Sequence, residues 1–462
     1  MVNRRSFLGL SALTCLGGLT AASFTSMPTR RPNILFIHAD DVGRELLGCY
    51  GGQSYATPNL DRLAANGMRF EICYATPVCS PTRVQLLTGR YSFRNYTQWQ
   101  HLDPKETTFA QLLNNAGYRT AIAGKWQLEG WDRTPQGIQE AGFDEYLSYH
   151  STQVHPLSRQ GEGNVFWRTP TLWKNGRRIE PDDQYSEDRY SDFIIDFMKR
   201  HKDRSFMAFY NMDLCHRPFF PTPESPEIKE GVELEPFMKF EGCSRYFSDM
   251  VSYMDTLVGR LITALEELGL RENTYVFFTA DNGTDNVWEA THLRSEFLGR
   301  NVEGGKYKVS DLGVNVPFIA NLPGVIAEGR VCKEVIDFTD MLPTFLDIAG
   351  RQAPGDVPTD GHSILPLLKG QDYTPRKWVY SWGGFIKTSR RFKNPKQYKD
   401  EHIHVLRSKR WKYYSDGRLF DMQADLFEEN PVPPGENPEA DQARTSLAAE
   451  LARLRSSGTV LW

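Results

Sequence analysis

Four short apolar runs along the chain share one pattern: each stops abruptly at side chains capable of chemistry. Asn33-Ile-Leu-Phe-Ile-His-Ala39 runs into Asp40-Asp41, and Tyr118-Arg-Thr-Ala-Ile-Ala-Gly124 runs into Lys125. Phe206-Met-Ala-Phe-Tyr-Asn-Met212 leads to Asp213 and His216, and Thr274-Tyr-Val-Phe-Phe-Thr-Ala280 to Asp281-Asn282-Gly283. Near-continuous apolar runs of this length predict strands buried on both faces, as in a largely parallel sheet covered by helices. Segments with helical periodicity alternate with them. Thr57-Pro58 opens one that Gly67 closes, and Thr107 or Thr108 can cap another that stops at Gly117. Ser186 to Lys202 places Tyr190, Phe193, Ile194 and Phe197 on one face, and Phe247 to Leu268 repeats that spacing.

Alternation of this kind predicts an α/β fold: a large mixed, mostly parallel sheet sandwiched between helices, occupying residues 31–370. Ligands of such sheets bind beyond the carboxyl ends of the strands, where these polar residues would gather. A Pro/Gly-rich passage from Arg351 to Gly361 separates this region from Trp378-Val-Tyr-Ser-Trp, His402-Ile-His-Val-Leu-Arg, Trp411-Lys-Tyr-Tyr and Arg418-Leu-Phe-Asp-Met. With the turn Asp416-Gly417, these predict a small C-terminal antiparallel-sheet subdomain over 371–462 that ends in a helix near Asp441 to Leu454.

Residues 1–26 do not belong to that core. Arg4 and Arg5 precede an apolar run from Phe7 to Leu19, and small residues follow at Ala21 and Ala22. That order predicts an export leader, too short and Gly-rich for a membrane span. The Arg-Arg-Ser-Phe-Leu string resembles a twin-arginine leader, which implies a bacterial protein exported to the periplasm or beyond. No other stretch is long enough to cross a bilayer.

Composition adds limits. The 462 residues carry 54 Lys plus Arg against 58 Asp plus Glu, a net charge of −4. There is no basic excess to hold nucleic acid. With Cys15 in the leader and Cys79 committed to chemistry, Cys49, Cys73, Cys215, Cys243 and Cys332 remain. That odd number, at wide spacing, supports neither a disulfide scaffold nor a zinc site.

Asp40, Asp41, Asp281 and Asn282 offer oxygen donors alone, the preference of a hard cation such as Ca²⁺ or Mg²⁺. Neighbours within a strand point to opposite faces, so Asp40 and Asp41 can share an ion only beyond the strand end. Either doublet alone is also an ordinary turn sequence. In Cys79-Ser80-Pro81-Thr82-Arg83, Ser80 suits an N-cap and Pro81 the first helical position, which sets Cys79 at a helix's positive end with Arg83 in the first turn. A thiol there would ionise readily and act as a nucleophile. The alternative is a small buried Cys before a well-capped helix.

Cys79-Ser-Pro-Thr-Arg83 followed by Leu86-Leu-Thr-Gly-Arg90 resembles the signature of type I sulfatases, the formylglycine-dependent branch of the alkaline phosphatase superfamily. Further matching segments are Arg31-Pro-Asn-Ile-Leu, Asp40-Asp41, Gly124-Lys-Trp, Ala280-Asp-Asn-Gly, Gly304-Gly-Lys306, Val316-Pro-Phe-Ile and Arg410-Trp-Lys-Tyr. The resemblance spans roughly residues 31 to 425. It implies a sulfatase in which a formylglycine-generating enzyme converts Cys79, whose hydrate attacks a sulfate ester. It also implies one Ca²⁺ held by Asp40, Asp41, Asp281, Asn282 and modified Cys79. Arg83 would hold the hydrate, and Lys125, Lys306 and His216 would surround the sulfate, with His216 protonating the leaving oxygen.

Two positions depart from the family pattern. Gln127 stands where a histidine usually follows the strand-end lysine; it can hydrogen-bond the hydrate but cannot take up a proton as imidazole does. Asp311-Leu-Gly-Val-Asn315 replaces a usual Glu-Gly-Gly-X-Arg. The substrate expected is a sulfated small molecule or glycan. Loops at 153–173, 288–300 (with His292 and Arg294) and 387–399 are candidates to select it. Rival readings are a phosphodiesterase or phosphonate monoester hydrolase of the same superfamily, a catalytically silent protein that binds sulfated glycans, and a plain cysteine hydrolase.

Overall fold

The computed structural model describes residues 30–128, 136–149, 172–180, 182, 184–231, 243–383 and 403–457. The expected leader, most of the 153–173 loop and all of the 387–399 loop lie outside the described residues. Arg31–Trp462 forms one compact unit.

Strands β1 (Asn33–Ala39), β2 (Met68–Tyr74), β3 (Arg119–Gly124), β4 (Glu145–Tyr149), β5 (Leu172–Lys174), β6 (Arg177–Ile179), β7 (Phe206–Asn211) and β8 (Thr274–Ala280) belong to the main sheet. The two-stranded β9 (Ser295–Phe297) and β10 (Arg300–Val302) stand apart, and β11 (Phe318–Asn321) and β12 (Arg330–Asp337) complete the main sheet. Its order is β12-β2-β11-β8-β1-β7-β3-β4-β5-β6, ten strands in all. The central neighbours β8, β1, β7, β3 and β4 are mutually parallel, while β11 and the β5–β6 edge introduce antiparallel pairs. The mixed, mostly parallel α/β sheet expected from the apolar runs is therefore present.

Central strands of this sheet are buried from end to end. Phe36 of β1 meets Phe209, Phe277 and Phe345 at ring separations of 5.4, 6.1 and 5.3 Å, two of them edge-on. The covering helices form two packed groups. Pro58–Ala65, Ser186–Arg200 and Phe247–Glu267 pack together, as do Cys79–Thr88, Phe109–Asn115 and Met341–Ile348. Thr108 caps Phe109–Asn115 through a reciprocal pair with Gln111, which satisfies two otherwise orphaned backbone donors. The face Tyr190, Phe193, Ile194 and Phe197 is buried as its spacing predicts. Among the described residues no helix is long and apolar enough to cross a membrane, and all six cysteines are free.

The C-terminal segment forms a second, antiparallel sheet of β13 (Val379–Trp382), β14 (His404–Arg407), β15 (Trp411–Tyr414) and β16 (Leu419–Asp421), followed by the helix Pro438–Ser456. Asn437 caps that helix by accepting from the Ala440 amide at 2.7 Å. The small sheet is joined to the large one through a buried ion cluster. Lys412 donates to Asp311 at 3.0 Å and to Glu428 at 2.9 Å, with Arg407 3.9 Å and Arg44 4.0 Å from Asp311. Asp311 also accepts from the Tyr74 hydroxyl and, at 3.0 Å, from Asn315. The departure from the family pattern at 311–315 therefore has a structural job: Asp311 anchors the C-terminal sheet, and Asn315 ties Asp311 to the backbone of β2.

Burial alone would raise the Asp311 carboxyl, but the cations Lys412, Arg407 and Arg44 outweigh it and hold the group well below the usual carboxylate range. The folded value thus lies under the unfolded value of about 4. Its stabilising contribution is complete above about pH 4 and is lost as pH falls towards the folded value. Asp311→Asn is expected to cost about 3 kcal/mol at neutral pH, since it strips a buried cation of a partner, and to flatten the acid limb of the stability curve. Urea midpoints followed from neutral to acid pH check both effects; an unchanged acid limb would count against the ion cluster.

Candidate active site

Parallel register sets the site. Ala39 of β1 pairs with Ala280 of β8, so Asp40-Asp41 and Asp281-Asn282 leave adjacent strand ends together. Gly124 of β3 pairs with Asn211 of β7, which brings Lys125 and the Met212–His216 turn to the same edge. Backbone hydrogen bonds continue past the strands: Asp281 N–H to Ala39 O at 3.1 Å, Asp40 N–H to Leu214 O at 2.8 Å and Lys125 N–H to Asn211 O at 2.7 Å. Gly124 adopts φ 100°, and a Cβ there would lie 2.0 Å from the Asn211 carbonyl oxygen, so only glycine permits this approach. At Gly305 a Cβ would meet the Leu312 backbone at 2.1 Å, which is why a glycine-rich loop delivers Lys306.

Asp41 takes φ 59°, left-handed backbone that Asp tolerates better than most residues. This ends the strand's alternation, and both aspartates face one centre. Asp40, Cys79 and Asp281 each bring a ligand atom to within 4.8 Å of the others, and so do Asp40, Asp41 and His216. Asn282 donates to Asp41 at 2.7 Å. Arg83 donates to the Asp281 carboxylate at 2.9 Å and to the Lys125 carbonyl at 3.2 Å. Lys306 bonds the Asp41 carboxylate at 2.5 Å, and Lys125 bonds Asp40. His216 Nδ1–H donates to the Arg217 carbonyl at 2.5 Å and directs Nε2 at Asp41, 3.7 Å away.

Three carboxylates, Asp40, Asp41 and Asp281, thus face three cations, Lys125, Lys306 and Arg83, all fully or almost fully buried. Burial works against both lysine charges, but Asp40 beside Lys125 and Asp41 beside Lys306 overcome it and raise their pKa values. Both ammonium groups are therefore held charged. Burial and then the field of Lys306 depress the His216 imidazole, which is neutral at pH 7.

A hard cation fits these donors. Asp40 Oδ1 and Asn282 Oδ1 are buried oxygens that receive no hydrogen bond, and leaving such acceptors unpaired in the interior is costly. Both belong to the oxygen-only set that calcium or magnesium prefers.

Two expectations about the cysteine segment need correction. The helix begins at Cys79, with Val78 at its N-cap, so Pro81 sits in the first turn and no side chain, Ser80 included, makes a capping hydrogen bond. Thr82 fixes this turn instead, meeting Thr76 Oγ1 at 2.7 Å and the Asp281 carbonyl at 2.9 Å. Nor does the thiol ionise readily. Burial, with Asp40 and Asp281 adding to it, lifts its pKa against the pull of Lys125 and Lys306. The helix end and Arg83 do not offset desolvation here.

Gln127 follows Lys125 with φ 58° and a buried Oε1 that has no hydrogen-bond partner. Asp285 was not foreseen. It bridges Lys306 at 3.8 Å and Arg217 at 2.6 Å, a role that only the folded loop reveals. Arg294, in the loop 288–300 expected to select substrate, donates to the Thr291 and Leu293 carbonyls of that loop.

Strand-end acids and buried cations, gathered around one cysteine at the edge of a mostly parallel sheet, define the class: an ester hydrolase of the alkaline phosphatase superfamily. The Sulfatase family model matches residues 32–351, and the chain belongs to the sulfatase family. A second model, N-sulphoglucosamine sulphohydrolase, C-terminal, matches 306–457 and so takes in the small sheet and last helix. The chain is 34% identical to bovine (Bos taurus) arylsulfatase A over 409 residues, covering 81% of this chain and 73% of that protein. It is 32% identical to the N-acetylgalactosamine-6-sulfatase of Canis lupus familiaris over 385 residues, covering 76% and 69%. A solved structure in complex with its substrate D-glucosamine-2-N,6-O-disulfate superposes with TM-score 0.73 at 22% identity, covering 94% of this chain and 99% of that one. These relatives make the protein a sulfatase enzyme.

Proposed function

We propose that the protein hydrolyses the sulfate ester of a carbohydrate, using formylglycine at position 79 and one Ca²⁺ held by Asp40, Asp41, Asp281 and Asn282. The observation that carries this reading is the balance of three buried carboxylates by three buried cations around Cys79, with two oxygens of the acidic set left unpaired. Converted by a formylglycine-generating enzyme, residue 79 would supply a hydrated aldehyde whose one oxygen attacks sulfur and whose other expels sulfate, while calcium would add positive charge beside the ester oxygens.

The chain's own residues do the rest. Lys125 and Lys306, fixed as cations, stabilise the negative charge that grows on the sulfate oxygens as the S–O bond breaks, and the dry cleft strengthens that effect. Arg83 holds position 79 in register with Asp281. His216, with its proton held on Nδ1 against a carbonyl, presents an unprotonated Nε2 beside Asp41; it takes up a proton there before it can pass one to the leaving alcohol. Gln127 can hydrogen-bond position 79 but moves no proton. The sugar assignment draws on the relatives' own substrates, an N-acetylgalactosamine 6-sulfate in one name and a glucosamine disulfate in another. The twin-arginine-like leader supports export to the periplasm or beyond.

Leaving-group dependence tests the proton role. His216→Ala is expected to slow hydrolysis of a sugar sulfate by about 10²–10⁴-fold, the usual size of a general acid's contribution. It should slow 4-nitrophenyl sulfate far less, because nitrophenolate departs without a proton. Equal losses on both would remove His216 from that role. The same assay run on an aryl phosphate diester decides the reaction class: a sulfatase prefers the sulfate, and faster turnover of the diester would overturn the reading.

A further inference from the structure

Exposure rises in one direction away from the buried cluster. Asp40, Asp41, Asp281 and Asn282 are buried from solvent, and the His216 side chain is 28% exposed. Arg217 beside it is 21% exposed, and Trp288 is 52% exposed. The last two are stacked: the Arg217 guanidinium carbon lies 3.6 Å from the centroid of the Trp288 ring. Arg217 Nε is held by Asp285 at 2.6 Å, the same carboxylate that stands 3.8 Å from Lys306. A single acid therefore connects the rim stack to a cation of the site. The two Nη groups of Arg217 hydrogen-bond to no other described residue.

Such a tryptophan is not explained by packing. An indole half in water gains little from burial, and Trp288 also adopts φ 52°, an outlier for a bulky residue. Backbone held this way costs about 1–3 kcal/mol and persists where the surroundings impose it. Arg217 covers one ring face, and among the described residues no side chain is recorded against the other, with Trp288 52% exposed.

We propose that the Arg217–Trp288 stack is a substrate subsite that receives the sugar ring carrying the scissile sulfate. Trp288 packs its open face on the apolar face of the pyranose, and the free Nη groups of Arg217 donate to that sugar's ring substituents. The inference rests on the sulfatase reading above and deepens it by assigning residues that select a carbohydrate. Asp285 is a positioning residue that fixes the angle of the guanidinium.

Steady-state kinetics of the matured full-length enzyme test it, with the 6-O-sulfates of N-acetylgalactosamine and N-acetylglucosamine, a sulfated galactose oligosaccharide and 4-nitrophenyl sulfate as probes. For whichever sugar sulfate turns over best, Trp288→Ala is expected to raise KM about tenfold, the scale of one lost aromatic contact. Trp288→Phe should recover most of that loss, and inhibition by inorganic sulfate should be unaltered because it reads the buried pocket alone. Val331→Ala, at an exposed apolar position on a β12 end remote from the site, serves as the control. An unchanged KM in Trp288→Ala, or a larger loss on 4-nitrophenyl sulfate than on every sugar, would overturn the subsite while leaving the sulfatase reading intact. Hydrolysis of 4-nitrophenyl sulfate but of none of the sugars would overturn it equally. Failure of the enzyme on all sulfate esters would defeat the underlying reading, and the subsite with it.

Discussion

Replacing Cys79 with alanine is expected to reduce sulfate-ester turnover by about 10⁴–10⁶-fold, the loss seen when an enzyme's nucleophile is removed. Stability should change little. Cys79 lies at the site end of its helix, and trimming one sulfur from a small side chain costs on the order of 1 kcal/mol. Retained activity in Cys79→Ala would falsify the proposal outright. Cys79→Ser separates the two tasks assigned to position 79: a lone hydroxyl can attack sulfur but cannot expel sulfate by re-forming a carbonyl. It should therefore turn over at most once per active site, which a pre-steady-state burst would show. Mass spectrometry of the matured peptide that spans Cys79 is the companion measurement. A formylglycine has lost sulfur and two hydrogens and gained oxygen; an intact thiol in fully active enzyme would instead support a plain cysteine hydrolase. The raised thiol pKa already argues against that rival.

The second large effect is expected at Asp40. Asp40→Asn keeps the shape but removes a carboxylate with one oxygen on Lys125 and the other unpaired. Turnover should fall about 10³-fold, because a metal's charge stabilisation of the transition state amounts to several kcal/mol. Thermal stability should fall too, by about 3 kcal/mol, since Lys125 is left buried without its partner. Calcium distinguishes these losses. Excess Ca²⁺ should restore part of the turnover by mass action but none of the stability lost from the lysine pair. Titrating calcium against kcat/KM and against Tm measures both. Activity that ignores calcium and chelator alike would remove the ion from the site.

Much of this arrangement was legible in the sequence because it is written in local terms. Buried parallel strands need unbroken apolar runs, and Asn33–Ala39 and Thr274–Ala280 are such runs, so their polar successors had to fall at strand ends. Oxygen-only doublets there named the kind of ion. The helix faces at Ser186–Arg200 and Phe247–Glu267 followed from spacing in the same way. Errors arose where a local rule met a non-local field. Ser80 and Pro81 have ordinary capping chemistry, yet contacts of Thr82 with Thr76 and Asp281 set where the helix starts. A helix N-terminus lowers a thiol's pKa near water; enclosed among Asp40 and Asp281, the thiol is pushed the other way. In the sequence Asp311 and Asn315 show only a departure from the family pattern; Lys412, about a hundred residues later in the chain, makes Asp311 an anchor.

The sequence by itself determined which strands would be buried, which acids and amides would leave their ends, and that a cysteine would stand beside an arginine in the same region. Tertiary structure decided the rest: that Asp41 turns back beside Asp40, that three cations balance three carboxylates, that the thiol stays protonated, and that Arg217 and Trp288 meet at the rim. The division has one physical cause. Periodicity and propensity act over a few residues, whereas charge states and cleft shape depend on desolvation and on pairings between segments hundreds of residues apart.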